Sequence, residues 1–167
     1  ESLGTLLRAT LSNKKPLVSL DYEIGLAGSY MTIQKIRFED RLLFHVECPE
    51  ELGKALILPL TIQPLLENAI RYGMEEMMDT CEISIRTRKE GTLLIVEVSN
   101  EGSVFEDSLL EKLQDGTKNA HGFGLVNIHQ RIQMLFGDSY GLSFKNQDEK
   151  AIAIITIPYK TEEDDYA

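Results

Sequence analysis

The sequence predicts an α+β two-layer sandwich: a mixed, mostly antiparallel sheet covered by helices on one face. Alternating apolar segments arrive in adjacent pairs, "CEISIRTRKEGTLLIVEVSN" in the middle of the chain and "YGLSFKN" with "AIAIITIPY" near its end, as antiparallel neighbours do. Other segments carry apolar residues at helical spacing along one side, as helices packed on a single sheet face require. At 167 residues the chain fits one such domain, large enough to bury roughly two-thirds or more of the surface exposed when unfolded.

Composition narrows the function classes. Apolar residues make up 43% and charged residues 26% of the chain, the balance of a globular protein rather than a disordered one. The net charge of -10 opposes nucleic-acid binding, which needs clustered Lys and Arg, so no nucleic-acid partner is expected. Phosphates can then be bound only locally, by amides at a helix start, a metal ion and one or two cations. Cys48 and Cys81 are too few for a disulfide scaffold and stand in no metal-ligand pattern with the three histidines, which points to a reducing compartment. The oiliest run, "ALILPLTIQPLL", is interrupted by Pro59, Thr61, Gln63 and Pro64 and falls short of a membrane span. No signal peptide is visible. A start on Glu1 rather than methionine reads as a fragment, itself not membrane-inserted, of a longer protein whose other segments are free to span a membrane.

The elements follow in order. "LGTLLRATL" has helical spacing and runs into the polar stretch "SNKKP", so residues 1–18 read as the end of a preceding segment and a linker. Ser19 is suited to an N-cap, and Leu20, Ile24, Ala27, Met31 and Phe38 share a stripe, predicting a helix to about Arg37. "RLLFHVEC" alternates as a strand. In "LPLTIQPLLENAIRYG", Pro59 suits a first helical turn, Gly73 an end, and Pro64 an internal kink. "KEG" joins the first strand pair as a hairpin. A short amphipathic helix over 107–114 and a loop lead to "GFGLVNIHQRIQMLFG", a helix with Leu125, Ile128, Ile132 and Leu135 on its apolar side. The last strand pair turns near Asp148, and residues 161–167 form a solvated acidic tail. The domain proper is therefore assigned to 19–160.

Three patterns carry candidate chemistry. Helical geometry puts Glu67, Asn68, Arg71 and Tyr72 in one neighbourhood, opposite Ile62, Leu66, Ala69 and Ile70. A solvated polar face accounts for this as well as a ligand does. With a ligand, Asn68 offers a neutral oxygen suited to Mg²⁺, Glu67 orients a metal-bound water or takes a proton, and Arg71 meets phosphate oxygens. "VEVSNEGSVF" is a strand ending in Asn100 and Gly102, either a routine turn or a place to read the edge of a flat heterocycle. "HGFGLVN" sets Gly122 and Gly124 at a helix start, where amides can approach an anion. It is neither a P-loop nor a dinucleotide fingerprint, since Asn127 stands where the latter needs a glycine.

Taken together, the three patterns resemble the GHKL ATPase superfamily and, within it, the LytS/YesM-type bacterial sensor histidine kinases. "QPLLENAIRYG" resembles the N box, "VSNEGSVF" the first glycine box and "GFGLVNIHQRIQMLFG" the second; "LLRATL", "YMTIQKIRFEDRL" and "ITIPY" extend the likeness over nearly the whole chain. The resemblance implies the Bergerat ATP-binding fold with ATP and Mg²⁺ as ligands. It makes Asn68 the Mg²⁺ ligand, Glu67 the neighbouring acid, and Arg71 and Tyr72 residues that approach the phosphates. Asn100 takes the place of an adenine-reading aspartate, with Gly102 and Phe105 following in its box. Gly122, Phe123, Gly124, Leu125 and Asn127 form the second box, and 106–121 the lid. Asparagine at 100 keeps an acceptor oxygen but loses a charge and adds a donor. Val104 replaces a second glycine, and "EKAIAI" replaces a Gly-Thr of the closing hairpin.

The implied activity is γ-phosphoryl transfer from ATP to a histidine on an upstream dimerisation segment, and onward to a response regulator. The acceptor's Asn-Pro-His-Phe motif is not in this sequence; His45, His121 and His129 read as structural, lid or surface residues. The implied setting is the cytoplasmic part of a homodimeric sensor in a bacterial plasma membrane. A stand-alone GHKL ATPase or serine kinase, and a degenerate nucleotide-sensing or interaction module, are the rival readings.

Overall fold

The computed structural model describes residues 17–75, 79–102, 104–105, 109, 111 and 123–165. Strand β1 (Val18–Ser19) leads into helix α1 (Leu20–Phe38), followed by β2 (Leu42–Glu47) and β3 (Leu56–Ile57). Helix α2 (Ile62–Ile70) ends in a π-helical turn (Arg71–Glu75). The hairpin β4 (Cys81–Glu90) and β5 (Leu93–Glu101) comes next, then α3 (Phe123–Phe136), β6 (Gly141–Gln147), β7 (Lys150–Pro158) and a short α4 (Glu162–Asp165). Five strands form a sheet in the order β2-β4-β5-β7-β6, with β2 parallel to β4 and the other neighbours antiparallel. β1 and β3 pair separately. The mixed, mostly antiparallel sheet and its helical layer match the architecture expected from the sequence.

Alternation along the strands explains the layering. Ile83 and Ile85, Val96 and Val98, and Ile155 and Ile157 enter one core with Ala27 and Met31 of α1, Leu66 of α2 and Ile128 of α3. The intervening residues make the opposite face more polar, although Ile95, Ile152 and Ile154 also lie on it: Ser84 and Ser99 share a 2.7 Å hydroxyl contact, and Arg88 and Lys145 both reach Glu97. The helices lie on the uniformly apolar face, as a half-buried, mostly antiparallel sheet allows. Among the described residues, no helix is long and apolar enough to cross a membrane.

Ser19 caps α1, its hydroxyl accepting from the Tyr22 N–H, and acidic first-turn and basic last-turn residues suit the helix dipole. The structure departs from expectation at α2. Pro59 lies outside that helix, and Pro64 falls in its first turn, where backbone N–H groups have no intrahelical acceptor anyway; no hydrogen bond is lost and no kink is needed. Nor does the helix stop at Gly73, because the wider π turn carries the chain on to Glu75. On α3, Leu125, Ile128 and Ile132 are buried but Leu135 is half-exposed. The expected helix at 107–114 lies outside the described residues except for Leu109, which is buried, and Glu111.

One contact ties α3 to β6. His129 is buried, and its Nδ1 accepts from the Leu142 N–H at 3.0 Å. The strand passes so close that a Cβ on Gly141 would stand 2.5 Å from that nitrogen, at a φ of +147°. The acceptor role requires a neutral ring, and burial pushes the His129 pKa below its ordinary 6.5. Because the folded-state pKa is depressed, the contribution to stability is complete above pH 6.5 and is lost as pH falls below it. Urea unfolding on either side of that pH should show this fall, and His129→Gln, with a non-titrating acceptor, should flatten it. Glu23, whose pKa is raised, titrates with the opposite sign but is common to both proteins and cancels in the comparison. Gly141→Ala should cost about 1–3 kcal/mol by the same assay, through overpacking.

Candidate functional site

Helix α2 turns Ile62, Leu65, Leu66, Ala69 and Ile70 into the core, so the polar residues between them face outward. Glu67 and Arg71 are exposed, while Asn68 and Tyr72 are half-buried. Gln63 Nε2 donates to Glu67 Oε1 at 3.2 Å, and the Arg71 guanidinium lies 5.5 Å from the Tyr72 ring centroid. The π turn begins where the Arg71 N–H is shared between the Asn68 and Glu67 carbonyls. It brings Gly73 against the sheet, where a Cβ would be 2.7 Å from Cys81 Sγ and 3.3 Å from Asn100 Nδ2. Only glycine fits there without displacing one of those side chains.

The end of β5 supplies the other wall. Asn100 is buried, paired in register with Ile83 and Ala151, and its Nδ2 donates to the Glu101 carbonyl at 3.1 Å. Gly102, at φ +87°, turns the chain away. Phe105 is then pinned by Asn146 of β6: its N–H donates to Asn146 Oδ1 at 2.8 Å, its carbonyl accepts from Asn146 Nδ2 at 2.9 Å, and its ring sits 4.8 Å from that of Phe144. Between α2 and the sheet lies a narrow cleft of about 30 Å³. Leu65 and Ala69 line it from the helix, Val98 and Ala153 from the sheet, and Val104 and Phe105 from the connection after β5. Asn68, Tyr72 and Asn100 are its polar residues. An apolar slot with a few convergent polar groups is the form of a small-molecule site.

The structure thus brings Asn68, Tyr72, Asn100 and Phe105 together, although Asn68 and Asn100 are 32 residues apart (100 - 68). Glu67 and Arg71 stand beside the cleft on the exposed side of α2 and do not line it. Gly124 begins α3 next to the first turn of α2, its would-be Cβ 3.7 Å from Pro64. Asn127 is exposed nearby. Leu125, expected on the apolar side of its helix as well as in the second box, has its side chain buried in the core and does not line the cleft. Gly122, the Phe123 side chain and the expected lid lie outside the described residues, Leu109 and Glu111 apart. His45 is exposed on β2 and His129 belongs to the core contact above.

Sequence reasoning misses three residues that hold this geometry. Asn146 carries no signal beyond being polar near a turn. Glu23 does carry one: it falls on the apolar stripe of α1 between Leu20 and Ala27, where a charge is out of place. Its Oε1 accepts from the Thr61 N–H at 3.0 Å. Burial pushes the Glu23 carboxyl up, and the N–H groups of Thr61, Leu60 and Ile62, with Arg131, pull it back. The third is Arg131 of α3, whose Nη2 donates to the Pro59 carbonyl at 2.8 Å.

Comparisons with known proteins agree with this geometry. The histidine kinase family model matches residues 1–42. The sensor histidine kinase YesM of Bacillus subtilis (strain 168) is 39% identical over 163 residues, covering 97% of this chain and 27% of YesM. The sensor histidine kinase BtsS of Escherichia coli (strain K12) is 30% identical over 161 residues, covering 96% of this chain and 27% of BtsS. The chain therefore spans about a quarter of the length of these relatives. The catalytic domain of histidine kinase ThkA superposes with a TM-score of 0.65 at 20% identity, over 87% of this chain and 97% of that one. ThkA in complex with the response regulator TrrA gives 0.58 at 18% identity, over 95% of this chain and 47% of that one. By sequence along almost its whole length, and with the catalytic-domain fold to match, the chain belongs to the LytS/YesM-type sensor histidine kinases.

Proposed function

We propose that this chain is the ATP-binding catalytic domain of a two-component sensor histidine kinase, with residues 19–160 forming the nucleotide-binding unit and 1–18 ending an upstream dimerisation segment. The observation that carries the reading is the cleft itself, which joins the polar face of α2 to the end of β5. The adenine ring enters between Ala69 and Val98, and Asn100 reads its edge. The Asn100 amide nitrogen donates to the Glu101 carbonyl, and its oxygen is the atom with the chemistry to accept from the base amino group.

The donor set fits Mg-ATP. Mg²⁺ takes hard oxygens, keeps several waters and shares the substrate's phosphates, so the Asn68 amide oxygen is the donor α2 supplies. Glu67, steadied by Gln63, orients the metal's waters. Gln63 Oε1 is buried with no hydrogen-bond partner among the described residues and marks a place where a donor belongs. Tyr72 and Arg71 approach the phosphates, and Gly122, Gly124 and Asn127 bring the amides at the start of α3 toward them.

Phosphoryl transfer asks a protein chiefly for positioning and charge neutralisation. An imidazole nitrogen of the upstream histidine attacks the γ-phosphorus, the bond to the β-phosphate oxygen breaks, and ADP leaves. The phosphoryl group then passes to a response regulator, a partner supported by the ThkA–TrrA complex. The intact protein is read as a membrane-anchored homodimer with this domain in the cytoplasm.

Isothermal titration with a non-hydrolysable ATP analogue tests the proposal. Saturable binding that requires Mg²⁺ is expected, and Asn68→Ala should remove a charged contact worth about 1.5–3 kcal/mol, weakening it about ten- to a hundredfold. Binding indifferent to both metal and Asn68 would sink the proposal. Gly73→Ala should weaken nucleotide binding by pushing on Cys81 and Asn100. Adding Cys81→Ala should restore part of the affinity, a non-additivity that a double-mutant cycle measures.

A further inference from the structure

Among the described residues Glu23 is the most buried carboxylate, yet it does not line the cleft. It accepts from the backbone of a different element, at the turn that starts α2. We propose that Glu23 is a positioning residue for the nucleotide site, holding the start of α2 at the angle that delivers Asn68 and Tyr72 to the cleft. This rests on the nucleotide reading above and adds to it a residue outside all three sequence boxes.

The turn from Leu58 to Ile62 is poorly able to hold itself. Thr61 occupies the N-cap position of α2 with a helical backbone, and its side chain does not cap the helix. Its hydroxyl instead donates to the Leu58 carbonyl at 3.0 Å. Leu60 sits at φ +57°, a left-handed conformation that a leucine keeps only when its surroundings impose it. Two side chains impose it from outside. Glu23 of α1 meets the Thr61 N–H and faces those of Leu60 and Ile62; Arg131 of α3 grips the Pro59 carbonyl and also faces Glu23 electrostatically. The helices carrying the N box and the second glycine box are therefore referenced to the same five residues.

The consequence for the site is geometric. Asn68 lies six residues along α2 from Ile62, about 9 Å, so a tilt at the helix start displaces its amide. Displacements of about 1 Å can cost as much as a hundredfold in sites that work by orientation. Asn100 is held differently, by pairing with β4 and β7 and by the Glu101 carbonyl. Loss of Glu23 should therefore harm the metal-and-phosphate half of the site and spare the base half.

The experiment compares wild type, Glu23→Ala and Glu23→Gln for binding of the Mg²⁺-loaded ATP analogue and of adenosine, with backbone hydrogen exchange on the ligand-free proteins. Glu23→Ala should weaken the analogue about tenfold and leave adenosine within about twofold. Glu23→Gln, which keeps an acceptor oxygen, should recover most of the loss. A purely structural role would lower stability without separating the two ligands, so equal loss of both, or no loss of either in a folded Glu23→Ala protein, overturns the proposal. Exchange reads the same question without nucleotide: faster exchange confined to Leu60–Ile62 and α2 upholds it, and a uniform rise that includes β5 overturns it. If Glu23→Ala does not fold, the residual effect in Glu23→Gln decides: a small rise in exchange confined to Leu60–Ile62 and α2 upholds the proposal, and a uniform rise or no rise overturns it. Wild-type protein that binds no nucleotide would defeat the kinase reading, while the exchange pattern would still decide whether Glu23 orients α2.

Discussion

At the turn into α2 the Thr61 N–H finds its acceptor in a carboxylate from another helix, with the Leu60 and Ile62 amides facing the same group, and the packing of α1 on α2 depends on that contact. Taking a glutamate out of water is costly unless its oxygens find donors. Unsatisfied helix-start amides are costly for the same reason. Glu23 and the 60–62 amides answer both costs at once, but only if α1 lies against the beginning of α2. Arg131 adds a third party by holding the Pro59 carbonyl. Hydrophobic burial brings the three helices onto the sheet without favouring one angle strongly. This polar knot selects one.

The sheet contributes a second, independent constraint. β5 is central, flanked by β4 and β7 along nearly its whole length, so the placement of Asn100 at its end is among the least adjustable features of the domain. Small residues keep the space in front of it open. Ala153 lines the cleft from β7, and Gly73 lets the π turn press close to Cys81. Asn146 then fixes where the chain goes after Gly102 by binding both backbone groups of Phe105. One wall of the cleft is thus a rigid ladder and the other a helix oriented by buried charge. That division suits phosphoryl transfer, in which the base is held and the phosphates must be aimed.

Much of the fold is legible in the sequence because it rests on periodicity. The strand pairs, the stripe of α1 and the Ser19 cap are local patterns, and local patterns survive folding when the core agrees with them. The departures have equally local causes. A helix begun at Pro59 makes Pro64 an interior residue and hence a kink, but α2 begins three residues later, and in the first turn a proline breaks nothing. Leu135 fits the core by spacing alone, yet so near the end of α3 it is left half-exposed. The site is half legible. Asn68, Tyr72 and Asn100 announce themselves as polar residues in oily surroundings, whereas Asn146 and Arg131 look like ordinary surface residues until the chain is folded.

By itself, then, the sequence determined the elements, the layer each would face and the kinship that names the family, since each depends on neighbours along the chain or on motif order. Only the tertiary structure decided that the π turn brings Tyr72 to the cleft and Gly73 to the sheet, and that a glutamate on the first helix caps the second. The last of these turns on which amide meets which carboxylate across 38 residues of sequence. Hydrogen bonds are short-ranged and directional, so that choice is made only when the packed helices and sheet bring the partners within reach.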